Sequence, residues 1–181
     1  HEESDDAAIK EAQAKFKERD LMVRREGLDI VVAAAAKHPN FRSKKITTEM
    51  MLALADPEAS VKSYAADKLG EFGDEAMAVQ ALDKEAKVAE KKIPVQQPDK
   101  EAEVKVFEAD LKALDAIYAG LGKTKSPLAA PVFDRGLHHA SSWVIEAAAR
   151  NCKPLKGNKL VIKGLIEQLA KFYSSSVNKG N

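Results

Sequence analysis

A single cysteine, Cys152, in 181 residues excludes an internal disulfide framework. Aromatic residues make up only 6% of the chain, and β-branched residues rarely alternate with polar ones, so no segment reads as a strand. The longest apolar run covers residues 30–36, far short of the roughly 20 residues that a membrane-spanning helix requires. Net charge is also nearly absent: 29 Lys and Arg face 28 Asp and Glu, so no global field selects nucleic acid or an anionic membrane. What remains is alanine, lysine and glutamate in a chain that is 45% hydrophobic and 31% charged. Those residues favour helices, and the length suits one folded domain with its own core.

The charge is unevenly spread. From Gly120 onward ten Lys and Arg stand against three Asp and Glu, whereas residues 1–119 carry nineteen against 25. The molecule is therefore expected to be acidic at one end and basic at the other. The chain opens on His1 rather than Met, as a processed or excised product does. Secretion or export to a periplasm after leader cleavage is the expectation, with a cytoplasmic protein the alternative.

Apolar residues recur at spacings of three and four almost throughout, the pattern of amphipathic helices. It predicts nine helices, over 5–18, 21–37, 47–55, 58–71, 75–91, 100–121, 128–137, 141–152 and 158–173. Thr47 or Thr48 is expected to cap the third. Pro94 and Pro98 cannot sit inside a helix, so 92–99 reads as an insertion loop, and the polar segment 174–181 reads as a flexible tail.

One apolar arc repeats. Val61, Ala65, Leu69 and Phe72 lie at offsets zero, four, eight and eleven, within about 80° of one helix face. Val23, Gly27, Val31 and Ala34 hold the same offsets earlier in the chain. Val144, Ala148, Cys152 and Leu155 hold them again later. The step from Val61 to Val144 is rather more than twice the step from Val23 to Val61, which leaves room for one further unit between. Small residues at offset four (Gly27, Ala65 and Ala148) would let neighbouring helices approach closely. Recurrence at the Val23-to-Val61 step points to stacked helical hairpins rather than a closed bundle.

The segment Asp56 to Asp74 resembles a HEAT repeat. Asp56 and Pro57 open the second helix, Val61 begins it, Ala65 and Ala66 follow, and Leu69, Gly70, Gly73 and Asp74 close it; Lys62 stands where arginine is usual. Tetratricopeptide repeats are the nearest rival, but their shorter period and Trp/Gly/Tyr pattern are missing. The resemblance implies an all-α, right-handed α-solenoid of about four helical hairpins plus a terminal helix, in one domain over 1–181. It also implies that the second helices line a concave face where partners dock.

Offsets two and six lie nearly opposite the buried arc and would line that face. They give Arg25, Ser63 and Glu146 in one ladder, and Asp29, Asp67 and Arg150 in the other. Mixed signs suit a protein or peptide partner better than a polyanion. Trp143, at offset minus one, is a candidate anchor if exposed, although packing against a neighbouring helix is the commoner role of such a residue. The alternative is nucleic-acid or polyanion binding through Lys153, Lys156, Lys159 and Lys163, a mode that some HEAT-like glycosylases make admissible.

Catalytic signals are weak. Gly122-Lys123-Thr124 has part of a phosphate loop, but Ile117 stands where that loop needs its first glycine, and a helix rather than a strand precedes it. His138 and His139 are adjacent and point apart, and no carboxylate or cysteine cluster completes a metal set. Cys152 falls on the buried arc and reads as a small core residue. The expectation is a non-catalytic, monomeric scaffold that binds another protein, with no cofactor and no metal.

Overall fold

A computed structural model describes residues 2–179. Those residues form nine α-helices and no strands: α1 (Glu2–Phe16), α2 (Leu21–Ala36), α3 (Lys44–Leu54), α4 (Ala59–Phe72), α5 (Glu75–Lys92), α6 (Glu101–Lys123), α7 (Ala130–Leu137), α8 (Ser142–Asn151) and α9 (Lys159–Lys179). Short 3-10 turns at Pro127–Ala129 and Lys153–Leu155 precede α7 and follow α8.

Local chemistry explains most of the boundaries. Asp20 and Asp74 cap α2 and α5 by accepting from Met22 N–H and Met77 N–H. Asn158 does the same at the start of α9, accepting from the N–H groups of Leu160 and Val161. The third helix departs from expectation. Ser43, not Thr47 or Thr48, caps α3, and its Oγ accepts from Ile46 N–H at 3.2 Å. Thr47 and Thr48 lie inside the helix, where their hydroxyls donate back to the carbonyls of Ser43 and Lys44. Thr47 Oγ1 also accepts from Asp74 N–H, tying the α4–α5 corner to α3.

Packing is mostly between helices adjacent in sequence. The pairs α1–α2, α3–α4, α5–α6 and α7–α8 lie against each other. Beyond these pairs, α2 touches α4, α4 touches α6 and α6 touches α8, while α1 touches α3, α3 touches α5, α5 touches α7 and α7 touches α9. One continuous apolar core runs through the contacts, with the rings of Tyr118 and Phe133 packed 5.6 Å apart.

The repeated arc is the buried one. Val61, Ala65, Leu69, Gly27, Val31, Ala34, Val144, Ala148, Cys152 and Leu155 are all buried, and only Val23 and Phe72 are half-buried. In the last unit α8 ends at Asn151, so Cys152 and Leu155 reach the core from the following turn rather than from the helix. Helices α4 and α6 approach each other closely. A Cβ built on Gly70 would lie 2.1 Å from the carbonyl oxygen of Gly120, so the two backbones touch with no side chain between them.

The insertion at 92–99 is pinned by Ile93, whose side chain is buried, while Val95 and Gln96 face solvent. At the other end, α9 runs past its expected end at Tyr173 as far as Lys179, with Ser176 Oγ donating to Phe172 O at 3.0 Å. Residues 180 and 181 of the expected tail lie outside the described residues.

Candidate partner-binding face

The helices α2, α4, α6 and α8, which touch in series, carry a chain of polar contacts across their free side. On α2, the Arg25 guanidinium lies 4.8 Å over the ring of Tyr64 in α4. Tyr64 O–H donates to the carboxylate of Asp29, also on α2. Lys68 approaches the same ring from 5.6 Å, so the tyrosine is flanked by two cations and an acceptor. Burial first, then the hydrogen bond to Asp29, pushes the Tyr64 hydroxyl up to about 12.

Between α4 and α6, Asp67 pairs with Lys123 and lies 3.6 Å from Lys68. Between α6 and α8, Asp115 Oδ1 accepts from Arg150 Nη2 at 2.7 Å, Arg150 Nε at 3.1 Å and Asn151 Nδ2 at 2.9 Å. Four of the expected lining residues (Arg25, Asp29, Asp67 and Arg150) therefore engage the neighbouring helix. Ser63 is half-buried and Glu146 exposed. Trp143 is half-buried and meets Phe107 of α6 edge-on, with ring centroids 5.0 Å apart and planes at 74°. It stands on the same side of α8 as Glu146 and Arg150.

Tyr64, Asp115, Lys123 and Asn151 were missed by sequence reasoning. Each completes a contact between helices that are far apart in sequence. The only signal for Tyr64 was an aromatic one step from the ladder position Ser63. Arg24 was also missed. Its Nε and Nη2 grip Asp56 at 2.7 and 3.2 Å, while Nη1 donates to the carbonyls of Glu18 and Arg19. Asp56 in turn accepts from Glu58 N–H, so the Asp-Pro turn that opens α4 is held by the preceding pair of helices. A cavity of about 540 Å³ lies beside this pair, lined by Gln13, Phe16, Leu52 and Pro57 among others. All three guanidinium nitrogens of Arg24 already donate, so it has no free fork with which to clamp an anion.

The basic run is open to solvent. Lys153, Lys156, Lys159 and Lys163 are all exposed, the first two around the 3-10 turn and the others on the first turns of α9. Beside them a cavity of about 430 Å³ is lined by Arg42, Glu71, Lys123, Thr124, Lys125 and Pro154. Arg42 is committed to the carbonyls of Glu71 and Gly73. Lys125 has φ of 51°, the left-handed conformation that side-chain-bearing residues rarely adopt.

The remaining motifs have structural partners. Gly122-Lys123-Thr124 closes α6, and Thr124 Oγ1 donates to Leu121 O and accepts from Ser126 N–H. A helix C-terminus presents carbonyls, which repel phosphate. His138 bridges Asp134 and Glu167, and His139 Nδ1 accepts from Ser141 N–H, so the two rings serve different corners. Cys152 is buried, its thiol donates to Ala149 O at 3.3 Å, and burial pushes its pKa up. Among the described residues no group of three or more His, Cys, Asp or Glu could hold a metal ion, and no helix is long and apolar enough to cross a membrane.

No protein-family model, no curated protein and no solved structure matches this chain.

Proposed function

We propose that this chain is a HEAT-like, right-handed α-solenoid of four hairpins plus a terminal helix, and that it holds a partner protein or peptide on the face formed by α2, α4, α6 and α8. The supporting observation is the order of contacts: each helix pair touches the next through like members, α2 to α4 to α6 to α8 on one side and α1 to α3 to α5 to α7 to α9 on the other. That order suits a row of hairpins, in which each repeat meets only its neighbours. The Asp56-Pro57 turn, anchored by Arg24, sits where a HEAT repeat opens its second helix. On the proposed face Tyr64 stacks under Arg25, and acidic and basic groups alternate from Asp29 to Arg150. An aromatic with a polar tip among mixed charges recognises polar peptide surface by hydrogen bonds and stacking rather than by bulk charge.

The pairing of these residues sets the experiment. Single reversals at Asp67 or Arg150 would break a contact between helices, so loss of binding could reflect loss of fold. Paired swaps avoid this: Asp67→Lys with Lys123→Asp, and Asp115→Arg with Arg150→Asp, rebuild each ion pair and reverse the charge pattern offered to a partner. Both double variants should keep the thermal midpoint of the parent and lose the partner that the parent captures. Capture indifferent to both swaps and to Tyr64→Ala would show that this face is not the binding surface.

A second reading is favoured by the exposure of Lys153, Lys156, Lys159 and Lys163. Polyanion binding there would weaken steeply with salt and disappear when the four become glutamate. Flat or absent binding to duplex and single-stranded DNA at low salt would remove it.

A further inference from the structure

The cavity beside the Arg24–Asp56 pair is lined by residues of α1, of the end of α3 and of the turn that follows α3. Phe16, Leu52, Ala53 and Pro57 make its apolar surface, and Gln13 adds a polar side chain. Its volume of about 540 Å³ falls within the roughly 300–1,000 Å³ of small-molecule sites. Leu52 stays 58% exposed because it borders this space instead of packing into a neighbouring helix.

One hydrogen bond behind the wall lies a buried acid. Gln13 Nε2 donates to Glu49 Oε1 at 2.9 Å. Glu49 is only 6% exposed, and its second oxygen, Oε2, is buried with no hydrogen-bond partner. A buried carboxylate left half satisfied is costly. Glu49 stands one turn before Leu52 and Ala53 on α3, on the side of the helix that carries the cavity wall.

We propose that this cavity takes a small organic amine, an apolar body carrying one ammonium group. Three features select that head. The Glu49 charge is the counter-ion, and a donor from the ligand satisfies the oxygen that now has no partner. Gln13 is the acceptor: an ionised Glu49 can only accept, so it turns the amide nitrogen toward itself and leaves Gln13 Oε1 to receive an N–H. Phe16 is the aromatic ring, whose face attracts a cation. That ring sits against Gly27, where a Cβ would lie 2.8 Å from it.

The other charges in the wall do not favour an anion instead. Arg24 and Asp56 neutralise each other, and every guanidinium nitrogen of Arg24 is already donating. Lys17 is exposed on a flexible stem, where water and salt screen it. A fixed carboxylate in the interior acts through a lower dielectric and outweighs it. The site is built mainly on α1 and α3, the other row of helices, so it stands whether or not the α2, α4, α6 and α8 face holds a partner.

Octylamine, octanol and octanoic acid share one apolar chain and differ in the head group. Backbone amide chemical shifts of the whole chain, titrated with each at pH 7, read both affinity and place. Octylamine should bind at least about tenfold more tightly than octanol, and octanoic acid more weakly than either. The shifts should centre on Gln13, Leu52 and Ala53. Glu49→Gln should bring the amine to within about twofold of octanol, with octanol itself unchanged. Phe16→Leu keeps the wall apolar and should weaken the amine about threefold more than octanol, which keeps the test decisive if Glu49→Gln does not fold. Equal affinity for the three compounds, no saturable binding, or an amine preference that either substitution leaves intact overturns the proposal. So do shifts confined to the exposed apolar residues Ile166, Leu169 and Phe172 of α9.

Discussion

Gly70 and Gly120 meet backbone to backbone where α4 crosses α6. The contact is reciprocal, since a Cβ on Gly120 would lie 2.4 Å from the carbonyl oxygen of Ala66. Neither obstacle is a movable side chain, so a methyl group on either glycine must push the two helices apart. Overpacking of this kind costs about 3 kcal/mol, at the upper end of its usual range. Gly70→Ala and Gly120→Ala should each lower the urea midpoint accordingly. Gly157→Ala, with nothing within 4 Å of the added carbon, should change stability by less than about 0.5 kcal/mol. Equal effects at all three positions would refute the close crossing.

Arg135 joins α7 to α5 in a second, chemically different way. Its Nε and Nη2 donate to the two oxygens of Glu90 at 2.7 and 2.8 Å, and its Nη1 lies 2.8 Å from Asp83. Glu90 is only 4% exposed and would be left charged and unpaired if the arginine were removed. The hydroxyl of Tyr118 is buried nearby, and burial together with the Glu90 charge holds its pKa far above the ordinary value. Arg135 itself is about a third open to water, so the loss is smaller than for a fully buried pair. Arg135→Met should cost about 2–3 kcal/mol in chemical denaturation. Adding Glu90→Gln to it should recover part of that loss, because the stranded charge is then gone. A double variant no better than the single one would mean that burial of the Glu90 charge is not what Arg135 offsets.

Much of the architecture was legible from spacing alone. The arc through Val61, Ala65 and Leu69 has its counterpart at Gly27 and Val31 because α2 and α4 each bury that side in the core. The cap of α3 is misread because Ser43, Thr47 and Thr48 offer three hydroxyls close together, and only the outermost sits ahead of the first turn. The charged face was legible as a set of positions and not as a set of pairs. Asp67 and Arg150 are visible on their own helices, but their partners Lys123 and Asp115 belong to α6, whose arc does not repeat the motif.

His138 makes the attachment of α9 depend on pH. Its Nδ1 lies 2.8 Å from Asp134 O and 3.4 Å from Asp134 Oδ1, and its Nε2 lies 2.5 Å from Glu167 Oε2 on α9. The hydrogen bond to Glu167, then the one to the Asp134 carbonyl, raises the histidine above its ordinary 6.5. The same bond to His138, helped by Lys163 and Lys171, lowers Glu167 below its ordinary 4.5. The two contributions have opposite signs in pH. The histidine's is complete below 6.5 and fades as pH rises through its raised value; the glutamate's is complete above 4.5 and fades as pH falls through its lowered value. The tie is therefore strongest between these two limits. Both groups are well exposed, so the effect should be modest and reduced by salt. Hydrogen-exchange protection at Gly164 and Leu165, corrected for intrinsic rate, should exceed that of Glu167→Gln most clearly near pH 5.5 to 6 and converge with it by about pH 9. A difference that stayed level across that range would mean that the imidazolium plays no part in holding α9 to α7.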